Sequence, residues 1–205
     1  MNDHTPAAAS TAALTWERIS EAVSSCTRCP LCQGRRNTVF GVGSREAEIL
    51  FVGEGPGEQE DRQGEPFVGR AGQLLDLMLA AVGLSRRRNV YIANIVKCRP
   101  PGNRDPLPEE QEACIGYLRG QTSLLRPKII VCLGRIAACR LIDPEFRITR
   151  QHGQIFERKG ILMTATFHPA ALLRNPGQKG DAFADFLMIR DRIGEVCERT
   201  ELVYE

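Results

Sequence analysis

The sequence has almost no lysine. Of its 27 basic residues, 23 are arginine and 4 lysine; 25 acids oppose them, so the net charge is only +2. A chain so nearly balanced carries no global field that would announce a polyanionic partner. Arginine is the better fork for phosphate, but a GC-rich genome produces the same bias, so the ratio alone decides nothing. Also lacking is a basic start followed by a long apolar core. The opening "MNDHTPAAASTAAL" is small, polar and proline-containing, unlike a secretory signal, and reads as a disordered tail over residues 1–14. No apolar run approaches the roughly 20 residues of a membrane span. Repeats and long linkers are absent too. The expectation is a cytoplasmic monomer with no membrane contact and one domain over residues 15–205, whose 42% hydrophobic content suffices for a core.

Cysteine is plentiful, at eight residues. In a reducing compartment thiols stay reduced, so metal ligation or core packing comes before disulfides. Cys26 and Cys29 form a C-x2-C pair, and Cys98 and Cys114 straddle a proline-rich loop. Four thiolates suit a 4Fe–4S cluster or a structural zinc, and the residues alone leave both open. Cys32 complicates the count, since "CTRCPLC" also reads C-x2-C-x2-C. Cys132 lies in an apolar run and is expected in the core; Cys139 and Cys197 sit in helical patterns and are expected to be inert.

Apolar runs alternate with helical spacing along the chain. Strands are expected in "AEILFVG" (47–53), "NVYIANIV" (89–96), "KIIVCLG" and "GILMTATFHP". Helices are expected in "AGQLLDLMLAAVGL", in "PLPEEQEACIGYLRGQTSLL", which opens with proline and acids as a helix start should, in "RIAACRLI" and in the closing "GDAFADFLMIRDRIGEVCER". Such alternation implies an α/β protein with a mostly parallel sheet covered on both faces. Ligands then sit beyond the carboxyl ends of the strands, so Glu54 to Gly57, Asn94 to Arg99, and His168 with Pro169 should converge.

"GEGPGEQED" resembles a phosphate loop only superficially. Its spacing is G-x-G-x-G, it lacks a Gly-Lys-Ser/Thr ending, and Pro56 removes an amide that would face an anion. The glycines fit close backbone approach to a flat ligand. Phe67, before a helix, could stack on a base or plug the core. Asn94 could pair with a group offering a donor beside an acceptor, or satisfy a strand end. His168 could hold a developing anion or be structural. Leu172, Leu173 and Arg174 suit a wedge entering a duplex while arginine meets phosphate; the alternative is a short helix packing its leucines inward.

Taken together, "CTRCPL", "GEGPGEQED", "GEPFVGRAGQLL", "KCRPPGNR" and "HPAALLRNP" resemble the family 4 uracil-DNA glycosylases, the iron–sulfur branch of their superfamily, from about Cys26 to the last helix. The resemblance implies a three-layer α/β/α sandwich with a four-stranded, mostly parallel central sheet. It also implies a 4Fe–4S cluster on Cys26, Cys29, Cys98 and Cys114, stapling the N-terminal segment to the proline-rich loop; Cys32 falls outside that pattern. Two positions depart from the family: Gly55, where alanine is usual, and Ala171, where a larger residue is common. A related branch traps its product covalently through an inserted histidine motif that this chain lacks. Glu54 disfavours the branch without a carboxylate in the motif.

The implied reaction is hydrolysis of the N-glycosidic bond of deoxyuridine in DNA, with the base out of the stack. Phe67 would stack on uracil, and Asn94 would read N3–H and O4, an edge that cytosine presents reversed. His168 would donate to O2 as the base leaves as an anion. Glu54 would position water or stabilise the sugar cation. Both roles stay open, because Gly55 stands where the superfamily's best-known branch carries a water-activating Asp. Glu60 would exclude the 5-methyl of thymine. Arg99, Arg104, Leu172 and Arg174 would meet uracil-containing DNA. Two rivals compete. A non-catalytic iron–sulfur module needs neither Glu54 nor His168, and a zinc-stapled nucleotide-binding protein is opposed by Pro56.

Overall fold

The computed structural model describes residues 13–204; of the tail expected over residues 1–14, residues 1–12 lie outside the described residues. Six strands, β1 (Val42–Gly43), β2 (Ile49–Gly53), β3 (Val90–Asn94), β4 (Ile129–Leu133), β5 (Phe156–Arg158) and β6 (Ile161–Thr166), form one sheet among the described residues, in the order β1-β3-β2-β4-β6-β5. The helices are α1 (Trp16–Ser24), α2 (Glu58–Gln63), α3 (Arg70–Ala80), α4 (Pro108–Leu125), α5 (Arg135–Leu141), α6 (Ile148–Gln151), α7 (Pro169–Arg174) and α8 (Lys179–Val196). No helix of the described residues is long and apolar enough to cross a membrane.

The four strands expected from sequence are the parallel centre, β3-β2-β4-β6. Every residue of β2, β3 and β4 is buried, as a strand covered on both faces requires. Alternate residues serve opposite layers. Leu50, Val52, Ala93 and Cys132 pack with Ile19, Ile115, Leu118 and Ala138, so α1, α4 and α5 cover one face. Ile49, Phe51, Ile92 and Val131 pack with Leu75, Leu79, Phe186 and Ile189, so α3 and α8 cover the other. The three-layer sandwich is therefore present, but the four-strand count is corrected to six. Antiparallel β1 and β5 extend the edges, and both are two- or three-residue pieces, too short to show a period.

Local chemistry fixes the helix starts. Thr15 caps α1, its hydroxyl accepting from the Arg18 amide at 3.3 Å. Pro108 opens α4, and Glu110 in its first turn accepts from the Leu107 amide at 2.8 Å. The chain passes from β2 outward to β3, then back across β2 to β4. That reversal opens a crevice at the carboxyl ends of these strands, where Gly53 lies beside Asn94 and Leu133 beside Thr166.

Candidate active site

The crevice is a cleft of about 530 Å³ whose lining includes Glu54, Gly55, Glu60, Phe67, Asn94, Arg104, Asp105, His168 and Arg174. The three clusters expected to converge do so. Gly53 allows it: a Cβ there would lie 2.6 Å from Cζ of Phe67 and closer still to Oδ1 of Asn94.

Phe67 combines both sequence readings. It is 6% exposed and packed with Leu75 and Ile92, yet it lines the cleft, with its ring centroid 5.6 Å from that of His168. Its φ is +56°, a left-handed conformation that strains a bulky residue. Two charged side chains hold it there. Arg86 donates to the carbonyl oxygens of Pro66 at 2.7 Å and Phe67 at 2.6 Å. The amides of Val68 and Gly69 donate to Oε1 of Glu60 at 3.0 and 2.9 Å. Glu60 thus lines the cleft as expected, but one carboxylate oxygen supports the Phe67 loop.

Asn94 is 1% exposed, and its Oδ1 has no hydrogen-bond partner among the described residues. A buried amide oxygen left unpaired costs about 1–3 kcal/mol, and the residue that carries it lines the cleft. The strand end itself is held from below: buried Lys97 donates Nζ to the Asn94 carbonyl at 3.0 Å and to Oε1 of Gln121 at 2.7 Å. Burial lowers that ammonium to about 8.

His168 caps α7, its Nδ1 accepting from the Ala170 amide at 3.1 Å. The ring proton of the neutral form therefore sits on Nε2. Burial, reinforced by the Arg174 cation and opposed by Glu60, lowers its pKa to about 4. Near pH 7 the site thus offers a neutral imidazole with one outward N–H. Burial, and after it the Asp105 carboxylate, pushes the Glu54 carboxyl up to about 7 against the pull of Arg135. A flat ligand against Phe67 would meet an acceptor, a donor and a carboxyl poised near neutrality.

One expectation about the rim is corrected, and Arg104 is found ion-paired. Leu172 is fully buried, packed with Phe167 and Ala182, because its segment is the helix α7 rather than a loop; Leu173 is the half-exposed neighbour. Arg104 is not a free cation. Its guanidinium spans both oxygens of buried Glu110, at 2.8 and 2.6 Å, since a buried carboxylate needs a partner. Arg99 donates to Oδ1 of Asn103 at 2.7 Å and lies 3.7 Å from Glu58. Arg174 is exposed, with no ion pair among the described residues.

Asp105, Arg135, Arg86 and Lys97 were missed by sequence reasoning. Asp105 carried a signal, an acid inside the proline-rich loop. Arg86 did not: it is one of three consecutive arginines, and only the turn geometry selects it for burial.

Away from the cleft, Cys26, Cys29, Cys98 and Cys114 line one small cavity, with Cys32 at the same wall. Arg35 donates to Sγ of Cys98 and the Lys97 amide to Sγ of Cys114, both at 3.3 Å. No three His, Cys, Asp or Glu side chains among the described residues form a tight single-ion site. Cys132 is fully buried in β4, as expected; Cys139 packs against the core and donates a long 3.6 Å hydrogen bond to the Phe146 carbonyl.

The chain is similar to known proteins over most of its length. The profile of the uracil DNA glycosylase superfamily matches residues 40–188. The chain is 48% identical, over 89% of its length and 94% of the relative's, to the type-4 uracil-DNA glycosylase of Archaeoglobus fulgidus. It is 49% identical to that of Thermotoga maritima over 78% of this chain and 83% of the other. For the enzyme of Sulfurisphaera tokodaii the identity is 44%, over 85% and 83%.

Proposed function

The chain belongs to the type-4 branch of the uracil-DNA glycosylase superfamily, and from that premise we propose that it hydrolyses the N-glycosidic bond of deoxyuridine in DNA, using the cleft at the strand ends as its catalytic site. The observation that carries the reading is the unpaired Oδ1 of Asn94, buried in the cleft wall next to Phe67 and a neutral His168. Uracil supplies what that wall lacks. Its N3–H donates to Oδ1, its O4 accepts from the amide nitrogen of Asn94, and its face lies on Phe67.

The base must leave the helix to get there. As the bond from C1′ to N1 breaks, its electron pair goes to uracil, and Nε2–H of His168 donates to O2 where the charge collects. A neutral donor suits this task, because its strength is spent on the anion that forms. Water adds to C1′ and gives up its proton; ionised Glu54 is placed to orient that water. The products are free uracil and an abasic site. Arg99 and Arg174 meet DNA phosphates, with Leu173 in the position first assigned to Leu172.

Cys26, Cys29, Cys98 and Cys114 would hold a 4Fe–4S cluster. Burial pushes the Cys98 and Cys29 thiols up, and Cys114 to about 11; a cationic cluster is what would keep such a set as thiolates, with donors from Arg35 and Lys97 on the sulfurs. Its contribution there would be structural, tying the end of α1 to the proline-rich loop and α4. The protein acts as a cytoplasmic monomer on uracil-containing DNA.

Incubation with an oligonucleotide bearing one uracil, followed by alkali, tests the reading. Strand breakage at that base is expected. Intact strands from both single- and double-stranded substrates overturn it.

A further inference from the structure

Gly55 has no side chain to offer the reaction, and a side chain there would have to displace a neighbour. A Cβ would lie 2.8 Å from Cγ2 of Val96 and 3.7 Å from Cδ of Pro100. The residue following Glu54 therefore supplies no second carboxylate. One arrives from elsewhere. Asp105, in the loop leading to α4, lines the same cleft as Glu54, and the two carboxyls are within hydrogen-bonding reach. Such a contact exists only when one of the pair holds a proton. Asp105 is itself fixed at both ends. Arg135, at the start of α5, donates Nη2 to its Oδ2 at 2.7 Å, and Arg104 donates Nη1 to its carbonyl oxygen at 2.9 Å.

We propose that Asp105 is a positioning residue for the water-activating step: fixed by Arg135, it stands beside Glu54 in the cleft and accepts a hydrogen bond from the Glu54 carboxyl once that group has taken the proton of water, which makes Glu54 the base. This rests on the glycosylase reading above. In the step itself, water oxygen bonds to C1′ as the C1′–N1 bond breaks and its pair leaves with uracil. The water proton passes to Glu54, where Asp105 accepts a hydrogen bond from the new O–H.

The charges acting on Glu54 come from two elements: Asp105 from the proline-rich loop raises its proton affinity, and Arg135 from α5 lowers it. The neutral His168 across the cleft adds none near pH 7, since it titrates only around 4. A base tuned close to the working pH is the efficient one. Removing Asp105 takes away an anion, so Glu54 ionises at lower pH; removing Arg135 takes away a cation, so it ionises at higher pH.

Single-turnover excision of uracil from an oligonucleotide, followed from pH 5 to 9, tests this. The unaltered protein should lose rate as pH falls through about 7. Asp105→Asn should move that midpoint down and lower the plateau by about tenfold, a fraction of the 10²–10⁴ typical of a whole general base. Arg135→Gln should move the midpoint up. Both side chains are more than half exposed, at 60% and 57%, so neither change endangers the fold. Midpoints that stay together in all three proteins, or a flat profile in the unaltered one, overturn the proposal while leaving excision standing. Absence of excision in the unaltered protein at every pH sinks the glycosylase reading, and this proposal with it.

Discussion

The guanidinium of Arg86 donates to the carbonyl oxygen of Phe67 at 2.6 Å. Through it, an arginine packed outside the cleft holds the one aromatic ring that a flat base would lie on. The same fork takes the Pro66 carbonyl, while its Nε is fixed by Oδ1 of Asp76 at 2.8 Å. On the far side of Phe67, Glu60 collects the next two amides. The left-handed φ of Phe67 is thus held from both directions by ionic groups rather than by its own preference.

Arg86→Lys should slow excision, because a single ammonium cannot serve two carbonyls as a planar fork does. Leaving one buried carbonyl unpaired costs about 1–3 kcal/mol, enough to let the loop relax and lower single-turnover rate by about tenfold. A double-mutant cycle with Phe67→Ala separates positioning from general loosening. If Arg86 acts through Phe67, the second substitution adds little to the first. Fully additive losses would show that Arg86 works by another route.

Asn94→Asp replaces an amide donor by an acceptor on the wall that reads the base. The new carboxylate should repel uracil O4 and favour the amino group of cytosine. A mismatched hydrogen bond in a closed site costs roughly 1–3 kcal/mol, so uracil excision should fall by at least about tenfold. Excision rates on paired uracil and cytosine oligonucleotides check this, and an unchanged uracil rate would remove Asn94 from the site.

The thiol cavity makes a separate claim, read by colour and metal content. Protein purified without air should be brown, with broad visible absorbance and about four irons per chain. Cys98→Ser should lose iron and lower the melting temperature. Cys132→Ala removes a buried side chain from β4, so it should cost packing and keep the iron. Stoichiometric zinc without iron in the unaltered protein would refute the cluster.

How much of this was legible in the sequence follows from burial and length. The central strands were readable because both faces are covered, which turns them into continuous apolar runs such as "ILFVG" and "IIVCL". The edge strands β1 and β5 have too few residues to display a pattern. Helix α2 lay hidden in "GEQEDRQG", since a polar first turn between two glycines looks like a turn. Helix α7 fills only the six residues Pro169–Arg174, and that shortness made its leucines resemble an exposed wedge when Leu172 is in fact buried. Among site residues, those on strand ends or in motifs were readable. Arg86 and Lys97 were not, because their task is set by distant backbone carbonyls that no local spacing reveals.

The last prediction separates chemistry from binding. Nε2–H of His168 should act mainly after the base has flipped, when charge gathers on uracil O2. An interaction stronger in the transition state than in the ground state raises rate rather than affinity. His168→Ala should slow single-turnover excision by roughly 10²–10³-fold, the scale of losing one such donor, with DNA affinity almost unmoved. Arg174→Ala should do the reverse, weakening binding and flattening its salt dependence as a phosphate contact is lost. A histidine that merely held the strand end would instead show itself in melting temperature, with normal excision by the folded fraction. Stability adds a signature of its own. The folded pKa of His168 is about 4 against 6.5 for the free side chain, so the folded state binds fewer protons between those values. Stability linked to this residue is complete above 6.5 and is lost as pH falls toward 4. The melting temperature of the unaltered protein should therefore drop more steeply over that window than that of His168→Ala. Equal slopes would mean that the ring is not held neutral, and its assignment as a neutral donor to the leaving base would fall.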